Sequence, residues 1–286
     1  MGGLATRAQL VAATSRAEVE AALRHRVVVR CSHGRYALPG VDAAAAQAHR
    51  VNGHLALTSA ALHHGWEVKT VPDRPHVVFP RNRNVPTAWR SEVEPHRNDL
   101  GPDDVSGIAT GREMTLLQCL RMLPDDEALA VADSALRHGE AATLRRVAAQ
   151  VRGAGSAKVR RIARAADGRA VNPFESVMRA ICLTVPGLSV TPQVVLSTEH
   201  YWACPDLVDR ERRIVVECDS YAWHGDRRGF LKDVRRHTLL SADTWTVLRF
   251  TWDDTMFQPR WVRGVLCRSV DADAQTGPLS GWQAAA

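Results

Sequence analysis

The chain has 286 residues and a formal net charge of +6 at pH 7, so it is long enough for two or three domains with separate cores. No run of about 18 apolar residues occurs, which argues against a membrane-spanning helix and predicts no membrane partner. The N-terminus lacks the basic and then apolar pattern of a signal peptide, and the six cysteines form no Cys-x-x-Cys pair. We therefore expect a cytoplasmic protein with reduced thiols.

Two short helices and two strands are predicted in residues 1–48. The helices cover residues 6–13 and 15–24, and the strands cover residues 27–29 and 35–39. This order resembles the winged helix-turn-helix domain of the abortive-infection type IV antitoxins. The resemblance implies DNA binding, with phosphate contacts predicted at Arg16, Arg24 and Arg26.

Residues 49–140 are predicted to form an α+β module. Its predicted elements are a short helix, two strands and two longer helices, at residues 58–64, 76–79, 91–96, 114–123 and 125–137. The region resembles the second domain of the same antitoxin family.

A basic helical connector is predicted at residues 141–170, with helices at 142–152 and 156–166. Eight Arg or Lys residues stand in this segment against Asp167 alone. Such an excess of positive charge predicts a surface for DNA phosphates, and a solvated helical face is the alternative. The candidate DNA contacts are Arg145, Arg146, Arg160, Arg161 and Arg164.

The last domain, residues 171–286, opens on a helix N-terminus. Asn172 is placed to cap the helix, and Pro173 suits its first position. Glu175 is then either the acid of a capping box or a carboxylate beside a metal ion, and one side chain can do both.

Residues 201–208 and 214–219 predict a β-hairpin, because both segments are apolar and the intervening segment is polar. If the turn centres on Glu211 and Arg212, Asp206 lies opposite Glu217. The period of two along a strand then adds Asp219 to the same face. Val216 and Cys218 would point into a core on the other face.

Three carboxylates on one face of an apolar hairpin repel one another, so a cation is expected among them. No Cys or His pair stands at ligand spacing. This favours Mg2+ or Mn2+ over zinc, because these ions prefer carboxylate oxygens. The alternative is an exposed strand edge with solvated acids.

A basic amphipathic helix at residues 227–241 and a strand at 244–251 follow the hairpin. Leu231, Val234 and Thr238 are predicted to face inward. The outer or flanking basic side chains, predicted to grip DNA phosphates, are Lys232, Arg235 and Arg236.

Together, these features resemble the endonuclease-like domain related to the very short patch repair endonucleases, in the PD-(D/E)xK nuclease superfamily. The residues that carry the resemblance are Asp206, Glu217-x-Asp219, Trp223-His224, the basic helix and the strand from Trp245. The resemblance implies an α/β domain with a restriction-endonuclease-like mixed sheet and a metal held by Asp206, Glu217 and Glu175. Asp219 stands where the superfamily has its motif Lys, and the resemblance implies that His224 takes over part of the proton chemistry. Lys232 is a second candidate to replace that Lys.

Two functions are therefore predicted. The first is a Mg2+-dependent endonuclease that hydrolyses DNA phosphodiesters in repair or in defence against phages and mobile elements. Its predicted catalytic residues are Glu175, Asp206, Glu217, Asp219 and His224. The second is a non-catalytic DNA-binding regulator or antitoxin that uses the nuclease fold as a scaffold, and its partner would be a toxin or a repair protein.

Overall fold

The computed structural model describes residues 2–219 and 227–276. The chain divides into two compact units, Met1–Arg164 and Ala165–Ala286. Its class is α/β with mixed sheets, as predicted. Within the described residues, no helix combines the length and the hydropathy that crossing a bilayer requires. All six cysteines are unpaired.

The first unit begins with a three-stranded antiparallel sheet and two short helices. The strands are β1 (Leu4–Thr6), β2 (Val29–Ser32) and β3 (Arg35–Ala37), in the order β1-β3-β2. The helices are α1 (Arg7–Ala13) and α2 (Arg16–Arg24). Thr6 and Ser15 cap them, because each side chain accepts a hydrogen bond from a backbone N–H of the first turn. Strand β1 was not predicted from the sequence.

A five-stranded mixed sheet with order β6-β5-β4-β8-β7 forms the middle of the first unit. Its strands are β4 (His54–Leu55), β5 (His76–Phe79), β6 (Glu94–Arg97), β7 (Val105–Ser106) and β8 (Ala109–Thr110). Helices α3 (Ala43–Arg50) and α4 (Leu57–His63) accompany it. Leu55, Val77 and Phe79 are fully buried in its core.

Four further helices follow the five-stranded sheet. They are α5 (Arg112–Met122), α6 (Asp125–Arg137), α7 (Ala141–Gln150) and α8 (Ser156–Ala165). All four agree closely with the predicted segments, because Pro124, Gly139 and the glycines after α7 interrupt the helical pattern in the sequence. The first unit ends within the last turn of α8.

The described part of the second unit contains a four-stranded sheet, a two-stranded ladder and four helices. The strands are β9 (Thr191–Pro192), β10 (Leu196–Ser197), β11 (Trp202–Ala203), β12 (Leu207–Asp209), β13 (Ile214–Asp219) and β14 (Thr246–Thr251). The helices are α9 (Pro173–Cys182), α10 (Arg227–Ala242), α11 (Trp252–Phe257) and α12 (Pro259–Thr276). The larger sheet has the order β14-β13-β12-β9, in which only β13 and β14 are parallel.

The hairpin of β12 and β13 has the predicted register, with Leu207 opposite Val216. Strand β13 is central and packs on both faces, which explains its continuous apolar run. Val216 belongs to the core that includes Met178 of α9, whereas Val215 packs with Leu240 of α10. Because side chains alternate along a strand, Glu217 lies on the same face as Val215.

Candidate active site

Glu175 is a buried carboxylate in the first turn of α9, only 2% exposed. The Asn172 side chain accepts a hydrogen bond from the Glu175 N–H and donates one to Glu175 Oε1, both at 3.0 Å. The Val171 N–H donates to Glu175 Oε2 at 3.0 Å. The predicted N-cap role of Asn172 is therefore confirmed. The Oε2 atom also accepts from Gln193, the residue that follows β9.

Gln193 joins Glu175 to a second carboxylate. Its Nε2 lies 3.1 Å from Glu175 Oε2 and 3.3 Å from Asp206 Oδ1, while its Oε1 accepts from the Cys204 thiol at 3.4 Å. Gln193 follows β9 and has a φ of 54°, a left-handed conformation that costs a non-glycine residue about 1 kcal/mol or more. Gln193 was not predicted as a site residue. The one feature of the sequence that marks it is its position as a polar residue between two apolar neighbours.

Asp206 lies immediately before β12 and is the carboxylate most affected by its surroundings. Burial, together with the nearby carboxylates of Glu217 and Glu175, raises the pKa of Asp206 to about 7. The Cys218 N–H, which donates to Asp206 Oδ2 at 2.8 Å, and the Arg236 guanidinium oppose this rise in pKa. Three carboxylates therefore converge from three separate elements, and we call Glu175, Asp206 and Glu217 the carboxylate cluster.

Glu217 of β13 is 5% exposed and has two cationic or titratable neighbours from α10. Its Oε1 lies 3.2 Å from an Arg236 nitrogen and 3.7 Å from His237 Nε2, and its Oε2 lies 3.5 Å from the Asp206 N–H nitrogen. Nevertheless Glu217 Oε1, Arg236 Nε and His237 Nε2 are buried atoms without a hydrogen-bond partner in the described structure. Buried polar atoms of this kind call for a ligand or another explanation.

Asp219 lies two residues beyond Glu217 and is held by a different cation. Both of its carboxylate oxygens accept hydrogen bonds from Arg249, at 2.8 and 2.9 Å. Arg249 lies on β14 directly beside Glu217 in the parallel register, and its hydrogen bond to Asp219 raises the pKa of the guanidinium. Arg249 thus compensates the charge of Asp219 across the two parallel strands. His224, the predicted proton carrier, lies outside the described residues.

The prediction of which face of α10 packs against the sheet is wrong. Leu231 is 46% exposed, Val234 is 43% exposed, and Thr238 is exposed as well. The face toward the sheet is a stripe at helical spacing formed by Asp233, Arg236, His237 and Leu240. An unpaired buried carboxylate costs more than leaving one Leu or Val partly exposed, so pairing with Glu217 decides how the helix is turned.

Arg236 lies on the flanking side of α10 and is directed toward the sheet, and its role as a phosphate contact stays a prediction. It pairs with Glu217 and with Asp233, whose carboxylate oxygen is 3.3 Å away. Lys232 and Arg235 are exposed, in agreement with the prediction that they face outward. Because Lys232 is on the exposed face, Arg236 rather than Lys232 is the α10 cation that contacts the carboxylate cluster.

The donor set of the carboxylate cluster fits a hard divalent cation. Mg2+ and Mn2+ prefer carboxylate oxygens, and the buried Glu217 Oε1 has no hydrogen-bond donor. No three His, Cys, Asp or Glu side chains in the described ranges surround one metal position as they stand. Gln193 and Arg236 occupy contacts between these carboxylates. A cation at this position would therefore replace one or both of these contacts.

The predicted DNA contacts of the first unit have different surroundings. Arg16, Arg24 and Arg26 are exposed, and their role as phosphate contacts stays a prediction. In the basic connector, Arg146 pairs with Glu113 at 3.1 Å. Arg161 pairs with Asp125 at 2.7 Å.

The basic connector is thus less positive than a count along the sequence indicates, because α5 and α6 supply acids that are distant in the chain. Three of its candidate DNA contacts have no ion pair with a described carboxylate: Arg145, Arg160 and Arg164. Of these, Arg160 donates to the Val151 carbonyl at 2.7 Å. Arg145 and Arg164 are exposed, and so is Arg152, a further connector arginine that has no ion pair with a described carboxylate.

No protein-family model and no curated protein matches the sequence. Among solved structures, the chain is similar to the crystal structure of the RV2827C protein from Mycobacterium tuberculosis. The sequence identity is 17% and the TM-score is 0.28, over 62% of this chain and 70% of that chain. A similarity of this size assigns neither a fold nor a function.

Proposed function

We propose that this chain is a metal-dependent endonuclease that hydrolyses phosphodiester bonds of DNA. The observation that carries the proposal is the convergence of Glu175 of α9, Asp206 just before β12 and Glu217 of β13, with burial that raises the pKa of Asp206 to about 7. Keeping three carboxylates together in a buried place is unfavourable unless a cation offsets their repulsion. The family resemblance of the hairpin and the following elements supports the same function.

The roles proposed for the side chains follow from their contacts. Glu175, Asp206 and Glu217 would hold Mg2+ or Mn2+, which when bound supplies Lewis-acid activation of water and neutralises charge on the phosphate. Gln193 fixes the separation of the Glu175 and Asp206 carboxylates by donating to both.

The proton chemistry is assigned to residues after the cluster. Hydrolysis forms a bond from a water oxygen to phosphorus, breaks the bond from phosphorus to the leaving oxygen, and moves a proton from the water to the leaving group. His224 is the proposed proton carrier, on the strength of the family resemblance. Asp219 is the second candidate, and Arg249 fixes the orientation of its carboxylate through two hydrogen bonds.

A non-catalytic DNA-binding regulator is the second candidate function. The Asp219–Arg249 pair favours it, because Asp219 replaces the motif Lys and its charge is already compensated within the fold. In that case the Gln193 and Arg236 contacts would be the permanent partners of the carboxylate cluster, and the protein would act through DNA or a partner toxin.

The experiment that separates the two functions is a cleavage assay with purified protein. Supercoiled plasmid and duplex, mismatched, branched and single-stranded oligonucleotides are incubated with Mg2+, with Mn2+ and with EDTA. We expect cleavage of at least one substrate that depends on the divalent ion. Binding of DNA without cleavage of any substrate would overturn the endonuclease and leave the regulator.

A further inference from the structure

Three arginines of the first unit form a group outside the regions discussed above. They are Arg35 of β3, Arg83 after β5 and Arg97 at the end of β6, and we call them the arginine row. Arg97 is exposed, and the other two are half-buried. In the part of the chain that the structure describes, none of the three has an ion pair with a carboxylate. This distinguishes the row from the paired arginines of the connector.

Asn52 holds the first two members of the row. The Arg35 guanidinium donates to the Asn52 side-chain oxygen, and Arg83 donates to the Asn52 backbone carbonyl. Arg83 also donates to the Val51 carbonyl at 2.9 Å. Asn52 has a φ of 55°, a left-handed conformation that Asn tolerates better than most residues. The turn between α3 and β4 therefore presents three oxygens to two guanidinium groups from separate segments of the chain.

Phe79 connects the second and third members. The guanidinium carbon of Arg83 lies 5.2 Å from the centre of the Phe79 ring, and that of Arg97 lies 5.9 Å from it. Arg83 also lies 5.5 Å from the centre of the Trp89 ring. Guanidinium groups stack on aromatic rings and lose little freedom there, so these contacts fix the two charges in position.

The row is held together against electrostatic repulsion. Burial and the charge of Arg83 lower the pKa of Arg35, and burial and the charge of Arg97 lower the pKa of Arg83. Like charges in such positions destabilise the unbound protein. An anionic ligand that neutralises these charges would relieve their mutual repulsion.

We propose that the arginine row binds the phosphodiester backbone of duplex DNA. Each guanidinium carries five N–H donors in a fixed plane, and the contacts of Arg35 to Asn52 and His49 and of Arg83 to Val51 and Asn52 use only part of them, which leaves donors for phosphate oxygens. Three cations without ion pairs, connected through shared contacts to Asn52 and Phe79, match a ligand with repeated negative charges better than they match a single small anion. The choice of DNA rests on the proposed function.

The test compares two triple variants of the full chain with equal changes in charge. The first replaces Arg35, Arg83 and Arg97 with Gln. The control also introduces Gln at three positions, but at arginines of the same unit that pair with carboxylates: Arg7, Arg74 and Arg112. Binding of a fluorescently labelled random-sequence duplex is measured by anisotropy over a salt series in EDTA, so that no cleavage occurs.

We expect the first triple variant to bind on the order of 10-fold or more weakly and to lower the slope of log K against log salt by about two to three. The control should retain most of the wild-type slope. Arg97→Gln alone, which removes only an exposed side chain, should lower the slope by about one. Because this single change leaves the Asn52 contacts intact, its result stands even where the triple variant folds poorly.

An unchanged slope in Arg97→Gln and in the triple variant, an equal loss in the control, or failure of the wild type to bind duplex DNA would overturn the arginine row as a DNA site. Tighter binding to single-stranded RNA than to duplex DNA would do the same. If the wild type binds DNA through the arginine row but cleaves no substrate, the arginine row stands as a DNA site and the proposed endonuclease activity is refuted. If the wild type cleaves DNA and the triple variant binds DNA normally, only the arginine row is refuted as a DNA site.

Discussion

Replacing Asp206 with Asn is expected to abolish nicking of plasmid DNA in Mg2+ or Mn2+, with a loss of at least about 10³-fold. The change keeps the size of the side chain but removes one negative charge from the carboxylate cluster. Phosphodiester hydrolysis depends on a positioned cation more than on any single proton carrier, so loss of one of its ligands should be close to complete. DNA binding in EDTA should be unchanged or slightly tighter, because a negative charge facing phosphate has been removed.

The matched control for this prediction is Glu211→Gln. Glu211 is exposed in the turn of the same hairpin, so its replacement also removes one negative charge without touching the carboxylate cluster. Both variants and the wild type are assayed for initial nicking rate at equal protein concentration and for duplex affinity. Cleavage by Asp206→Asn at the wild-type rate, or an equal loss in Glu211→Gln, would contradict the assignment of the site.

The second large effect is expected in the pH dependence of stability. Asp206 ionises near pH 3.9 in an unfolded chain and at about 7 in the folded protein. Between these values the folded state holds a proton that the unfolded state has released, so raising the pH favours unfolding. Without divalent ions, this one carboxylate should reduce the free energy of unfolding by about 4 kcal/mol between pH 4 and pH 8.

Other groups act in the opposite direction, so the prediction concerns a difference between proteins. Burial and the neighbouring His96 lower the pKa of His76 to about 4, and its Nδ1 lies 2.8 Å from His96 Nε2. The folded state thus binds fewer protons at His76 than the unfolded state between about pH 4 and 6.5, and this contribution rises with pH. Asp206→Asn should retain the contribution of His76 and lose that of Asp206.

Denaturant unfolding of wild type and Asp206→Asn at several pH values in EDTA measures this difference. Asp206→Asn should become increasingly more stable than the wild type as the pH rises toward 8. Excess Mn2+ should stabilise the wild type most at high pH, where its carboxylates are ionised, and should stabilise the variant much less. Parallel pH profiles, or equal stabilisation of both proteins by Mn2+, would show that Asp206 is not a buried ligand.

Local signals in the sequence were sufficient for the hairpin and for the start of α9. The polar turn after Asp209 determined the register, so Glu217 was correctly placed on the strand face opposite to that of Val216. The contacts between Asn172 and Glu175 could also be predicted from the sequence, because a helix cap depends only on neighbouring residues.

The remaining parts of the site depend on contacts between distant segments, which periodicity does not report. The pattern of α10 favoured Leu231 and Val234 as the inner face, but the buried Glu217 instead attracted Arg236 and His237. Gln193 enters the site through a left-handed backbone conformation that its sequence neighbours do not indicate.

The charge of the connector was misjudged for the same reason. Counting residues along the chain left its arginines opposed by Asp167 alone. The fold brings Glu113 and Asp125 against Arg146 and Arg161. In the first unit, the turn at Asn52 and the ring of Phe79 gather arginines that are far apart in the sequence.

The most direct test of the central claim is the position of Mn2+ in crystals of the protein soaked in that ion, located by anomalous scattering. We predict one peak at the carboxylate cluster, with oxygens of Asp206 and Glu217 at about 2.0–2.6 Å and with the Gln193 or Arg236 contact displaced. A soaked crystal without a peak at the cluster, in which Gln193 still joins Glu175 to Asp206 and Arg236 still pairs with Glu217, would contradict it.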